Sequence, residues 1–150
     1  MRSKRLPTLF ILLFVGLAWT ADLSVASSIP KSPDTGNYES SFAFTVQNGY
    51  YRSDNILYAS LTPSLYDYYR GRSHTINGEK DYAKFITPDT VQSIANNIRN
   101  ITRNTPYDDE QFANAVLMIV RGITYLRSSA KYPVETIVDN SADCDGLSIL

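Results

Sequence analysis

Between Thr87 and Ile123 the apolar residues recur twice over at three- and four-residue steps, which leaves little choice but a pair of consecutive helices. Thr87-Pro88 is a helix opening: a hydroxyl cap, then proline where no amide donor is missed. Val91, Ile94, Ala95, Ile98 and Ile101 then form one face, and Asn104-Thr105-Pro106 stops the run. Asp108 opens the next helix, with Gln111 three residues on as in a capping box, and Phe112, Ala115, Val116, Ile119, Val120 and Ile123 give its buried face. Such stripes are core packing and not a cofactor box. Asn100-Ile101-Thr102 matches a glycosylation sequon, but Ile101 falls on the expected buried face, so the match reads as chance unless the export route glycosylates.

Ahead of the helices the pattern is different. Phe42 to Val46 is aromatic and β-branched and is closed by the turn dipeptide Asn48-Gly49, which predicts a strand. Asn55 to Leu61 predicts a second strand, stopped by Pro63, and Pro63 to Tyr69 reads as a short helix or turn with proline at its first position. Residues 70–81 are polar, contain Gly71 and Gly78, and are expected to be a loop in which His74 is simply solvated. Residues 27–37, rich in Ser, Pro and Gly, read as a linker, and 38–86 as a β/loop lead-in to the helical region 87–150. The 11 tyrosines suit half-buried strands and amphipathic surfaces better than a carbohydrate or peptide groove.

The amino terminus is an address. Arg2, Lys4 and Arg5 precede an almost unbroken apolar run from Leu6 to Ala21, and Ser24-Val25-Ala26 is a small-x-small cleavage site. Residues 1–26 are therefore expected to be a secretory signal, or an uncleaved anchor, although the run is short of the roughly 20 residues that span a bilayer. In either case the remainder is secreted or membrane-anchored outside the cytoplasm, with membrane contact only through an uncleaved leader. A net charge of -1 gives no basic face for nucleic acid.

One cysteine and one histidine exclude an internal disulfide and zinc sites built from Cys and His. No acidic residues show the alternating spacing of a calcium loop, so no metal and no cofactor is expected. Cys144 follows the turn material Asp139-Asn140-Ser141, and after it Leu147, Ile149 and Leu150 begin a helical spacing. A cysteine at a helix start faces unpaired amides and the positive end of the dipole, which favours a thiolate. Its own amide could also donate to an oxyanion. Asp143 and Asp145 work against this, because neighbouring carboxylates disfavour another negative charge. Taken locally, Cys144 is either a reactive thiol or a plain residue of the helix cap.

Tyr132-Pro133-Val134-Glu135-Thr136-Ile137-Val138, a short turn, then Ala142-Asp143-Cys144-Asp145 with Leu147, Ile149 and Leu150 resembles the nucleophile segment of transglutaminase-like thiol enzymes, exported prokaryotic members included. In that family the pattern is commonly Tyr-Pro-x-Glu-Thr, a Gly-rich turn, Gly-Asp-Cys-Asp/Glu and a helix. Here Ala142 stands where Gly is frequent, and Asn140-Ser141 replaces the Gly-rich turn. The specific similarity covers the segment from Tyr132 to Leu150, and a looser one most of 60–150.

The resemblance implies an α+β fold: the helical amino-terminal half of a papain-like or transglutaminase-like cysteine enzyme domain, preceded by a short β-containing region and truncated. It implies Cys144 as nucleophile, attacking an amide carbonyl of a protein or peptide, with cell-envelope peptides as one source, and passing the acyl group through a thioester to water or an amine. The family's His and Asp lie downstream of the Cys, and His74 matches no family position, so the chain as given is expected to be inactive. The apolar face begun by Leu147, Ile149 and Leu150 is expected to lack cover, with disorder or poor solubility near that end. The alternatives are a non-catalytic extracellular binding scaffold of the same fold, or a small secreted structural protein whose Cys144 bridges two chains.

Overall fold

A computed structural model describes residues 29–150; the expected leader and its cleavage site lie outside the described residues. The fold is mixed α and β. It begins with a hairpin of β1 (Tyr38–Asn48) and β2 (Tyr51–Leu61), antiparallel, with Asn48 opposite Tyr51. The connection is therefore the two residues Gly49-Tyr50. Gly49 adopts φ +61°, the positive angle that such tight loops require and that glycine takes without steric cost. Both strands run longer than the apolar runs that announced them. Their alternation sends Phe42, Phe44 and Val46 and, opposite, Leu57, Ala59 and Leu61 to one buried face. Each fully buried Phe, Leu or Val contributes about 1.5–3 kcal/mol relative to exposure.

Helix α1 (Pro63–Arg70) starts where Pro63 stops β2, with Thr62 as its cap: the Thr62 hydroxyl accepts from the Leu65 amide at 3.3 Å. The polar stretch after it is not all loop, because Glu79–Phe85 winds into a 3-10 helix that buries Phe85. Helices α2 (Pro88–Thr102) and α3 (Asp108–Gly122) then cover the inner face of the hairpin, α3 lying along β1.

Their ends differ from expectation in two ways. Thr87 sits at the cap of α2 but its hydroxyl makes no cap bond; it lies 3.2 Å from the Thr90 hydroxyl, which itself donates to the Thr87 carbonyl. The cap of α3 is Tyr107, in a left-handed conformation, and the expected Asp108–Gln111 box does not form. Gln111 instead accepts from the Gln47 amide at 3.0 Å, docking the helix onto β1. The α2 stripe also ends differently. Ile101 is 36% exposed, and the inward position one turn after Ile98 belongs to Thr102, whose hydroxyl satisfies itself on the Ile98 carbonyl at 3.1 Å. Burial of Ile101 therefore gives no ground for dismissing Asn100.

Beyond α3 the chain makes β3 (Thr124–Tyr125), α4 (Pro133–Asp139), β4 (Ser141–Ala142) and α5 (Cys144–Ile149), with β3 and β4 parallel. Residues Tyr132 to Val138 are all buried, so α4 is a central element. The described part of the Pro/Ser/Gly-rich segment lies against this core: the Ile29 amide donates to the Val138 carbonyl at 2.8 Å, and Lys31 bridges to Tyr38. Ile149 and Leu150 are half-buried against the core, so the carboxyl-terminal apolar face finds partial cover where none was expected. No helix among the described residues is long and apolar enough to cross a membrane.

Candidate active site

Cys144 is exposed and is the first residue of α5. Three features of the local sequence put it there. Asn140 ends α4 with φ +48°, a left-handed conformation that asparagine tolerates better than most residues and that a Gly-rich turn would otherwise supply. Ser141-Ala142 then pairs with Thr124-Tyr125, which fixes the approach to the helix. Asp143 caps α5, its carboxylate accepting from the Gly146 amide at 3.0 Å. Among the described residues the amides of Cys144 and Asp145 make no hydrogen bond, so two donors stand open beside the sulfur.

The close approach of α5 to β4 depends on Gly146. A Cβ at that position would lie 2.7 Å from the Cβ of fully buried Ala142. Only one of the two positions can carry a methyl group. The Thr136 hydroxyl is buried beneath this crossing with no hydrogen-bond partner among the described residues.

The turn before Cys144 is braced by charge. Lys131 Nζ donates to Asp139 Oδ2 at 2.6 Å and to the Ser141 carbonyl at 3.1 Å. Tyr66 donates to Asp139 Oδ1 at 2.7 Å and accepts from Arg70 at 3.1 Å. Burial, with the Asp139 carboxylate second, pushes the Tyr66 phenol up to about 12. At the other end of α4, the Glu135 carboxylate is 6% exposed and its Oε2 accepts from the Tyr132 amide at 3.0 Å.

The same oxygen lies 2.8 Å from His74 Nε2. His74 is thus not a solvated loop residue: its side chain is 23% exposed, and its ring stands edge-on to Tyr132 at 5.5 Å. Loop 71–78 folds back because a buried carboxylate needs a second donor and the Tyr132 and Phe85 rings offer an apolar wall.

At the sulfur itself the arrangement is sparse. Among the described residues, Cys144 Sγ has one hydrogen-bond partner, Asp145 Oδ1 at 3.6 Å. The other oxygen of Asp145 accepts from Tyr82 at 2.8 Å, and this bond leads the causes that raise the Tyr82 phenol above its ordinary value. Among the described residues no imidazole or amine bonds Sγ, and His74 is engaged with Glu135 instead. No cluster of three His, Cys, Asp or Glu that could hold a metal occurs among the described residues.

The sequence pointed to Cys144, Asp143 and Asp145 as neighbours, and they are together. It did not point to Tyr82 or Tyr66, which reach their partners across long stretches of chain, or to Lys131, which folds back on Asp139 and Ser141 from the other end of α4. No family model matches the chain, and neither the curated proteins nor the solved structures provide a match.

Proposed function

We propose that this chain carries the nucleophile segment of a transglutaminase-like cysteine protease or acyltransferase, with a papain-like arrangement and Cys144 as the acyl carrier. The observation that carries the reading is the placement of an exposed sulfur at the first residue of α5, beside two amides without partners, on a turn held by Lys131, Asp139 and Tyr66. A thiolate there would attack an amide carbonyl of a protein or peptide, cell-envelope peptides included, and the C–N bond would break, the amine taking up a proton as it leaves. The open amides would take the negative charge that develops on the carbonyl oxygen, and the thioester would pass its acyl group to water or to an amine.

Among the described residues no base stands at the sulfur, and the acid–base His and the Asp that orients it, which the resemblance calls for, have no counterpart there. The leader layout of residues 1–26 supports a location outside the cytoplasm for this chemistry.

Imidazole added to the solution can stand in for the missing base. An activated ester should then acylate Cys144 faster than it acylates an unstructured peptide spanning residues 139–150, and intact mass should show one acyl group that a C144S chain lacks. Equal rates for the folded chain and the peptide would remove the case for a built nucleophile.

A further inference from the structure

The two edges of the β1–β2 hairpin are treated differently by the rest of the chain. In an antiparallel ladder every second residue pair turns its N–H and C=O groups away from the partner strand. On β1 this outward set includes Thr45 and Gln47, and α3 takes both amides: Thr45 donates to the Met118 sulfur at 3.5 Å and Gln47 to Gln111 at 3.0 Å. Thr45 stands opposite Asp54 and Gln47 opposite Arg52, so the outward set on β2 is Arg52, Asp54, Ile56, Tyr58 and Ser60.

None of these five residues has a backbone hydrogen bond to another element among the described residues. Their side chains lie on the solvent face, with Ile56 58% and Tyr58 75% exposed. Among the described residues this edge meets no proline, bulge or covering helix, and only Arg52 and Asp54 toward one end blunt it with charge, so it is a template for another strand.

We infer that this edge is an interface with a second copy of the chain, formed by antiparallel pairing of β2 with β2 about a two-fold axis at Ile56. That register alone gives every outward residue a partner: Ile56 meets Ile56, Asp54 meets Tyr58, and Arg52 meets Ser60. An axis at Asp54 would set two carboxylates face to face, which costs stability. An axis at Asn55 or at Tyr58 leaves outward residues unpaired. The product is an isologous, closed contact that makes one four-stranded sheet, ordered β1-β2-β2-β1. The apolar side chains of Ile56 meet at its centre and the charges lie toward the ends.

Cross-linking in a C144S background tests the register directly, because Cys144 is the only native cysteine. Facing residues in the hydrogen-bonded position lie about 5.5 Å apart at Cα, within the span of a disulfide. Ile56→Cys should give a disulfide-linked dimer on mild oxidation. Asp54→Cys should not link to itself but should link to Tyr58→Cys when the two chains are mixed.

Ile56→Pro removes an outward N–H and no bond to β1. It should halve the mass in sedimentation velocity at high protein concentration while far-UV circular dichroism is unchanged. A monomeric unsubstituted chain, absence of the Ile56→Cys dimer, or self-linking of Asp54→Cys as readily as Ile56→Cys would each overturn the inference.

Discussion

Substituting Gly146 with Ala is the sharpest perturbation of the platform that carries Cys144. The new methyl would stand 2.7 Å from the Ala142 Cβ, whereas apolar carbons rest at about 3.5–4.0 Å. Overpacking of this size costs about 1–3 kcal/mol. The helix preference of Ala over Gly returns at most about 1 kcal/mol, so the single substitution should destabilise by about 1–2 kcal/mol. Ala142→Gly alone loses a buried methyl worth about 0.8 kcal/mol, and strand entropy adds about 0.5–1 kcal/mol. In the double variant the methyl merely changes sides of the crossing and the clash disappears. It should therefore be more stable than the sum of the singles by about 1–3 kcal/mol, as expected of residues in contact. Urea unfolding followed by far-UV circular dichroism of the four chains gives the cycle. Additivity within about 0.5 kcal/mol would refute the idea that α5 is seated by this one contact.

Other substitutions test the surroundings of the site. Tyr82→Phe frees the Asp145 carboxylate to approach Cys144, and should slow imidazole-assisted acylation a few-fold, whereas Asp145→Asn should speed it; rates by intact mass decide. Glu135→Ala leaves the Tyr132 amide and His74 without their acceptor and should cost about 1–3 kcal/mol in urea unfolding, with Glu135→Gln costing less. Thr136→Val removes a buried hydroxyl that has no partner among the described residues, so it should leave stability unchanged or raise it. The Tyr66 phenol is raised from 10.0 to about 12, so the folded chain holds that proton more tightly than the unfolded one. Its contribution is complete below pH 10 and is lost as pH rises toward 12. A Tyr66→Phe chain should show a flatter alkaline stability profile over that window.

What could be read from the sequence were the features that local physics dictates. The aromatic and β-branched run from Phe42 to Val46, the Asn48-Gly49 turn signal and Pro63 gave two strands and the end of the second, but not their full lengths, Tyr38–Asn48 and Tyr51–Leu61, nor their pairing. The 3.6-residue stripes gave α2 and α3. Side chains with a choice of partner were not legible. Gln111 could satisfy the start of α3 or the edge of β1, and only the tertiary approach of the helix decides for β1. Ile101 and Thr102 compete for one inward position, and the smaller residue wins because its hydroxyl can bond back to its own helix. His74 looked solvated because its partner, Glu135, is distant in sequence and buried by α4. At the site, the motif located Cys144, but the brace of Lys131, Asp139 and Tyr66 depends on the fold.

The bond from the Ile29 amide to the Val138 carbonyl sets a leash. From Asp22, where the apolar run ends, to Ile29 the chain can stretch at most about 25 Å at about 3.6 Å per residue. With the leader retained in a bilayer, the Val138 backbone a few residues before the sulfur would hover within that height of the lipid surface. If Cys144 acts as proposed, that tether would confine its reach to a thin layer next to the membrane, and altitude as well as sequence would select what it meets.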